Sequence, residues 1–359
     1  MQAPFVAALR QHDHSNMYAV LRDFPQQILH AQRTVEALPP RLLPRTQHIV
    51  VLGMGGSAIA GDLLRTYAQW TPGADHLRIY VVRDYTLPPV VNRSTLVIAS
   101  SYSGNTEETL EAFEQARMRT PHLVCLSSGG ELSARAQALG IPVVPLPSGY
   151  QPRCALGFSF FTLLFALLRY GYLRRSSHKR ISAAIRATHE RLCALAESFS
   201  AESSANPALQ LATTLHGHVL ITYASPRTEA VALRWRQQLQ ENAKHAAFGN
   251  VLPEMNHNEL NGWQFPSGFA SSVRVLLFGD PEDHPRVQLR AELLPQLLSG
   301  SIPEYAYHRL SSSQPEFLTR MFELIYLGDW VSYWLALLNG VDPTEIPLIL
   351  RLKSELSAR

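Results

Sequence analysis

The chain is poor in cysteine. Its 359 residues include three, Cys125, Cys154 and Cys193, and their separation matches neither a CxxC pair nor the usual spacing of metal ligands. We therefore expect buried, reduced thiols in a cytoplasmic protein, and no metal site. The N-terminus also lacks a basic stretch followed by an apolar core, so the sequence predicts no signal peptide.

Strong net charge and very long apolar runs are missing as well. A formal net charge of +3, without basic runs interleaved with aromatic residues, gives no reason to expect nucleic-acid binding. The longest apolar run, Phe158 to Leu168, is well short of the roughly 20 residues that a membrane span needs. Polar positions interrupt the other apolar segment, around Trp330 to Leu338. Both are predicted to be buried helices in a chain long enough for two globular domains.

Lysine is scarce too, occurring only at Lys179, Lys244 and Lys353, so arginine supplies nearly all of the positive charge. Where arginine is so strongly preferred, a retained lysine indicates a position that needs a compact ammonium rather than a planar guanidinium. An ordinary surface lysine is the alternative at each position.

Short apolar strands alternate with helical stretches along most of the chain. This alternation is typical of α/β proteins whose parallel sheets are covered on both faces. It predicts two doubly wound parallel-sheet domains related by duplication, residues 1–152 and 207–359, joined by a largely helical connection over 153–206. Strands are predicted at His48 to Leu52, Leu77 to Val82, Thr95 to Ala99, His122 to Leu126, Ile141 to Pro145, His218 to Tyr223, Val273 to Phe278 and Pro303 to Tyr307.

A glycine-rich turn follows the first predicted strand. Its sequence, Gly53-Met54-Gly55-Gly56-Ser57-Ala58, fits the G-x-G-x-x-A pattern of dinucleotide-binding proteins, and Asp84 follows the next strand, where it could bind a ribose. A nucleotide-dependent oxidoreductase is therefore one interpretation. The other, which we favour, is that Gly55 and Gly56 let the backbone approach a sugar phosphate while Ser57 donates a hydrogen bond.

A turn rich in hydroxyl groups follows the third strand. Ser101-Tyr102-Ser103-Gly104-Asn105-Thr106 leads into a helix with acidic residues in its first turn. The N–H groups and the dipole at a helix N-terminus favour a bound anion. Because the turn contains no Lys or Arg, it suits a phosphomonoester better than a triphosphate with its Mg²⁺. A capping turn with surplus serines is the alternative.

The second half of the chain carries candidates for acid–base chemistry. Gln237, Glu241 and Lys244 recur at i, i+4 and i+7 of a helix predicted over Thr228 to Phe248 and should share one face, although a surface Glu–Lys pair would look the same. The polar segment Pro253 to Leu260 follows. It contains His257, a candidate general acid or base near neutral pH.

Two further residues are candidates, one for acid–base chemistry and the other for binding an anion. His308, at the end of a predicted strand, is a competitor to His257 as acid or base. Arg153 precedes an apolar helix, where the dipole would favour an acidic residue, and this placement points to contact with an anion.

The segments described above, in the order in which they occur along the chain, resemble those of the bifunctional phosphoglucose/phosphomannose isomerases. Those proteins are built from two sugar-isomerase (SIS) domains. The resemblance extends from about residue 16 to about residue 356. The serine-rich turn marks the SIS superfamily, whereas the Glu241 and His257 segments narrow the resemblance to this branch. It rests on Gly53 to Ser57, Ser101 to Thr106, Pro152-Arg153, Glu241 to Lys244, Asn256 to Glu259 and Leu352-Lys353.

The resemblance implies an isomerase that interconverts glucose 6-phosphate, and mannose 6-phosphate, with fructose 6-phosphate through a cis-enediol, with no cofactor. In that case Glu241 moves the proton between C1 and C2, and Arg153 stabilises the enediolate. His257 assists ring opening at the site of the partner subunit in a homodimer, and Lys353 completes the site. The phosphate is held by Ser57, Ser101, Ser103 and Thr106.

Two other classes compete with this interpretation. One is a non-catalytic SIS-domain sensor that binds a sugar phosphate and regulates a partner; it has no need of Glu241, His257 and Lys353 together. The other is an SIS isomerase for a different sugar phosphate.

Overall fold

The computed structural model describes residues 10–40, 42–43, 46 and 48–358. Packing divides the chain into two units. The first unit comprises Asp23–Cys193 and Glu316–Thr319, and the second comprises Met1–Arg22, Ala194–Pro315 and Arg320–Arg359. The predicted domain limits at residues 152 and 206 stay a prediction.

The described residues form nine strands and thirteen α-helices. The strands are β1 (His48–Leu52), β2 (Ile79–Val82), β3 (Thr95–Ser100), β4 (Leu123–Ser127), β5 (Val143–Pro145), β6 (Val219–Ala224), β7 (Ala247–Val251), β8 (Val273–Phe278) and β9 (Tyr307–Leu310). The helices are α1 (Met17–Arg22), α2 (Gln26–Ala37), α3 (Gly55–Trp70), α4 (Glu107–Arg119), α5 (Gly130–Ala138), α6 (Leu156–Arg169), α7 (His178–Ser200), α8 (Pro207–Leu215), α9 (Glu229–Glu241), α10 (Glu259–Gly262), α11 (Pro285–Leu297), α12 (Phe317–Leu338) and α13 (Pro347–Ser357).

Each unit contains one parallel sheet, which confirms the predicted α/β class. The first sheet has the order β2-β1-β3-β4-β5, and the second has the order β7-β6-β8-β9. All neighbours in both sheets pair in parallel. The second order repeats the first four positions of the first, as expected of two doubly wound domains related by duplication.

The first sheet follows the sequence prediction closely because its central strands are buried on both faces. Every residue of β3 and β4 is buried, and such strands appear in a sequence as continuous apolar runs. Apolar residues of β1, β3 and β4 pack against Ala112, Phe113 and Ala116 of α4. The observed bounds differ from the predicted ones by two residues at most.

One strand of the second sheet was not predicted, and another was predicted at the wrong residues. The helix predicted to reach Phe248 ends at Glu241, and β7 follows it. The strand predicted at Pro303 to Tyr307 lies at Tyr307–Leu310 instead, because residues 304–306 form a 3₁₀ turn. Both strands are at the edges of their sheet and half-exposed, so neither has the apolar run of a central strand.

The two apolar segments lie in helices α6 and α12, as predicted. Windows spanning Pro152–Arg169 and Phe317–Leu338 are long and apolar enough to cross a membrane, but 83% of each is buried inside the protein. Burial in the core accounts for their composition.

Candidate active site

The hydroxyl-rich turn lies at the point where the first sheet changes direction. Strand β1 pairs with β2 on one side and with β3 on the other. The chain segments that leave the carboxyl ends of β1 and β3 therefore diverge to opposite sides, which opens the crevice where ligands bind in open α/β sheets. Gly53–Ser57 follows β1 and Ser101–Thr106 follows β3, so the topology brings the two predicted phosphate-binding segments to this crevice.

Hydrogen bonds join these two segments. The backbone N–H of Tyr102 donates to Ser57 Oγ over 3.1 Å. Ser101 Oγ lies 2.9 Å from Thr106 Oγ1 and accepts a hydrogen bond from the N–H of Gly104. The structure thus brings Ser57, Ser101 and Thr106 together.

The first turn of α4 has no side-chain cap. Thr106 is the N-cap residue of this helix, but its side chain makes no capping hydrogen bond to the first turn. Its hydroxyl is directed to Ser101 instead. Ser103 is exposed, and its Oγ accepts a hydrogen bond from the N–H of Asn105. The turn therefore offers hydroxyl groups together with a helix N-terminus, a combination suited to phosphate.

Arg153 lies directly beside the glycine-rich turn. A Cβ built on Gly56 would lie 2.9 Å from the backbone nitrogen of Arg153, so only glycine allows the two backbones to approach so closely. Gly55 has φ of +46°, in the left-handed region that favours glycine. Arg153 is 2% exposed, in a 3₁₀ turn that leads into α6. The backbone of a buried arginine therefore lies next to the segment predicted to bind an anion.

Glu241 is the last residue of α9, and a row of buried polar contacts fixes that helix against α12. Arg234 and Gln238 both donate to the carboxylate of Asp329 over 2.9 Å. One turn further on, Asn242 Nδ2 donates to Ser332 Oγ. Arg234, Gln238 and Asn242 are spaced four residues apart, so they lie along one side of the helix. We call these five residues the polar ladder.

Lys244 is not on the helical face predicted for it. Helix α9 ends at Glu241, and Lys244 has φ of +52°, outside any helix. Its Nζ donates to the backbone oxygens of Asn242 and Asp342. Glu241 and Lys244 nevertheless line the same cavity of about 420 Å³, together with residues 345–349 at the start of α13.

His257 is exposed at the end of a 3₁₀ turn, Glu254–His257. Its side chain has no hydrogen bond or ion pair with any other residue of the described ranges. The segment after it is anchored to the second sheet, since Tyr223 and Asn250 both donate to the carboxylate of Glu259. Burial raises the pKa of Tyr223, and the hydrogen bond to Glu259 adds to this effect. His257 is thus exposed to solvent, and the segment that follows it is anchored to the second sheet.

Lys353 and His308 lie elsewhere in the second unit. Lys353 is exposed on α13. His308 is half-buried on the edge strand β9, where burial and the neighbouring Arg274 lower its pKa. None of Lys353, His308 and His257 lines the cavity that contains Glu241.

One cluster with ligand-type side chains could not be found from sequence spacing. His14, Asp342 and Glu345 come within 4.8 Å of one another and could hold a metal ion. His14 Nδ1 lies 3.1 Å from Asp342 Oδ2, and the two residues are more than 300 positions apart in the chain. The predicted absence of a metal site stays a prediction.

Comparison with known proteins identifies relatives that match most of the chain. Residues 204–356 match the family described as the bacterial phospho-glucose isomerase C-terminal SIS domain. A bifunctional phosphoglucose/phosphomannose isomerase from Caldicellulosiruptor bescii is 38% identical over 86% of this chain and 89% of its own length. The protein with the same description from Aquifex aeolicus is 37% identical over 86% of this chain and 90% of its own.

The chain belongs to the bifunctional phosphoglucose/phosphomannose isomerase family. This confirms the resemblance found in the sequence. A hypothetical protein from Thermus thermophilus has a similar structure, with a TM-score of 0.68 at 19% identity over 99% of this chain and 94% of that one. That similarity shows that the two structures share a fold over nearly the whole chain.

Proposed function

We propose that the protein interconverts glucose 6-phosphate and mannose 6-phosphate with fructose 6-phosphate through a cis-enediol. One observation carries the proposal: in a chain of this family, Glu241 lines a cavity at the end of a helix that a buried polar ladder fixes in place. A protein that only senses a sugar phosphate needs the hydroxyl-rich turn but has no use for a carboxylate held in this way.

In the proposed mechanism, the 6-phosphate binds to Ser57, Ser101, Ser103 and Thr106, where Gly55 and Gly56 shape the adjoining turn. The support is chemical: hydroxyl donors and a helix N-terminus stabilise a phosphate dianion without a metal ion. The hydrogen-bond donors of the turn stabilise the negative charge of the phosphate. The turn binds only this end of the ligand, so the sugar carbons are available for the reaction.

Proton transfer is assigned to Glu241. Its carboxylate takes the proton from C2 of the open-chain aldose, and the electrons of the C–H bond form the C1–C2 double bond of the enediolate. Return of the proton to C1 gives the ketose, and the hydroxyl and carbonyl oxygens exchange one proton. Protonation of the same enediol on either face of C2 gives the glucose or the mannose epimer. The buried Arg153 is a fixed cation of the kind that stabilises such an oxyanion.

Ring opening is assigned to His257, acting at the site of a partner subunit, with Lys353 beside the ring oxygen and hydroxyls. The support is that His257 is exposed and makes no polar contact within the described ranges, whereas the segment after it is anchored. The homodimer itself is part of the proposal. The large apolar helices α6 and α12 are mostly buried within the chain, so they offer little surface for its interface. Exposed leucines spaced four residues apart on α11, Leu289, Leu293 and Leu297, are better candidates.

We further propose that the protein works in the cytoplasm. None of the three cysteines forms a disulfide bond, and two of them are buried. Burial raises the pKa of Cys125 to about 12, so this thiol stays protonated. Cysteines without disulfide bonds are typical of proteins from a reducing compartment.

The first experiment is a coupled assay with EDTA present, in which glucose 6-phosphate and mannose 6-phosphate are supplied separately and formation of fructose 6-phosphate is followed. We expect turnover of both sugars. Turnover of glucose 6-phosphate alone would mean that the site rejects the C2 epimer. If neither reacts while fructose 6-phosphate still raises the melting temperature, the sensor interpretation replaces this one.

A further inference from the structure

We propose that Lys244 is a positioning residue, whose ammonium group ties the end of helix α9, where Glu241 lies, to the loop that leads into helix α13. The inference rests on the proposed function only in assigning the proton transfer to Glu241. The tie joins residues 241–244 to residues 339–344, and both segments belong to the second unit.

The backbone at Lys244 is unusual for a lysine. Its φ of +52° lies in the left-handed region, which glycine adopts without strain and asparagine adopts more readily than lysine. Within the described part of the chain, Asn16 is the other non-glycine residue with positive φ. A long cationic side chain at such a position indicates that the side chain itself is needed there.

The ammonium group connects the two segments directly. Nζ donates to the backbone oxygen of Asn242, 3.1 Å away, and to that of Asp342. A second bond runs in parallel, because Asn339 Nδ2 donates to the backbone oxygen of Ala243 over 2.9 Å. Asp342 is itself fixed, since its Oδ1 accepts a hydrogen bond from the N–H of Thr344.

These bonds connect the two parts of the chain that form the walls of the cavity that Glu241 lines. One wall is the end of α9 with Glu241 and Lys244, and the other is formed by residues 345–349. If the tie is lost, the second wall is free to move away from the Glu241 carboxylate. An ammonium serves this purpose better than a guanidinium, because it is compact and directs its three donors independently.

Three substitutions separate the side chain's role from the backbone's. Lys244→Met keeps the length and removes the donors, Lys244→Gly suits the positive φ and also removes them, and Lys244→Arg keeps charge and donors. Asn16→Gly is the matched control, since it relieves the same backbone conformation at the other such site. Steady-state kinetics with fructose 6-phosphate and hydrogen exchange at residues 345–357 are the two measurements.

We expect Lys244→Met and Lys244→Gly to lower kcat about tenfold or more while KM changes less than about threefold, because the hydroxyl-rich turn is untouched. Lys244→Arg should recover part of kcat. Exchange at residues 345–357 should be faster in the Met and Gly variants and unchanged in Asn16→Gly.

Wild-type kcat in Lys244→Gly would overturn the proposal, because the lysine would then do no more than occupy a strained backbone position. Unchanged hydrogen exchange in Lys244→Met and Lys244→Gly would overturn it as well. The exchange measurement does not depend on turnover, so it tests the tie even if the wild-type protein fails to isomerise hexose phosphates. That failure would refute the proposed function separately. If Lys244→Met does not fold, Lys244→Gly carries the same test.

Discussion

Arg234 and Asp329 form a buried ion pair in which Nη2 of the guanidinium lies 2.9 Å from both carboxylate oxygens. The two residues are 2% and 1% exposed. Burial raises the pKa of Asp329, although Arg234 and Gln238 act in the opposite direction. The carboxylate is therefore buried at a position where the interactions with Arg234 and Gln238 offset the free-energy cost of burying its charge.

The first prediction concerns this pair. Asp329→Ala should lower the free energy of unfolding by about 3–5 kcal/mol, because it leaves a buried guanidinium without its counter-charge. Urea unfolding measures the change. Glu202→Gln, which removes the partly exposed pair with Arg10, is the control and should cost at most about 1 kcal/mol. A loss in Asp329→Ala no larger than the control's would show that the pair contributes little to stability.

The second prediction concerns Glu241. Glu241→Gln keeps the size of the side chain and removes the base, so isomerisation should fall by about 10³-fold or more. Binding of fructose 6-phosphate should stay within about threefold of wild type by titration calorimetry, because the phosphate contacts are unchanged. Equal losses of binding and turnover would make Glu241 a structural residue.

The third prediction concerns the hydroxyl-rich turn. Ser101→Ala and Thr106→Ala should each weaken binding of fructose 6-phosphate, by roughly tenfold to a hundredfold, since a hydrogen bond to a charged group is worth about 1.5–3 kcal/mol. Ser128→Ala is the matched control: its hydroxyl supports the same turn by donating to the backbone oxygen of Tyr102. Similar weakening in the control would mean that the turn's shape, rather than its hydroxyls, determines binding.

The fourth prediction tests whether His257 acts across subunits. Glu241→Gln and His257→Ala proteins, each inactive alone, should regain about a quarter of wild-type activity after unfolding and refolding as an equal mixture. Half of the dimers are then mixed, and each mixed dimer has one site with both native side chains. No recovery, with mixed dimers demonstrated by tagging, would place Glu241 and His257 of one chain at the same site.

The fifth prediction concerns the dependence of stability on pH. Burial lowers the pKa of His308 from its ordinary value of 6.5 in the folded protein, and Arg274 lowers it further. Below pH 6.5 the unfolded chain therefore binds the proton more readily, so this residue makes the protein less stable as the pH falls. His308→Gln should reduce the decline in Tm between pH 7 and pH 5. An unchanged decline would exclude His308 as its source.

Much of the fold can be predicted from the sequence, and the elements that were predicted wrongly have physical explanations. Central strands such as β3 are buried on both faces, so their apolar runs are visible without a structure. The edge strands β7 and β9 mix polar with apolar residues, and the patterns resemble those of turns or of a continuing helix. Lys244 was assigned to a helical face because nothing local reveals that the chain turns left-handed after Glu241.

The candidate site was predictable only where its residues are close in sequence. The hydroxyl-rich turn is one continuous segment. The polar ladder joins residues about 90 positions apart, and its members were not singled out. One signal was present: Asp329 stands in the 22-residue helix α12, which is otherwise mostly apolar, and a buried carboxylate requires a partner.

The second unit uses both ends of the chain, and this sets the order in which the protein can be completed during synthesis. The Tyr18 ring packs edge-on against Trp330 at 5.4 Å, and the hydroxyl of Tyr326 donates to the backbone oxygen of Leu21. On the ribosome, all five strands of the first sheet have been made by Pro145, whereas α1 has to wait for α12. Helix α1 is therefore made before the first sheet but is packed after it.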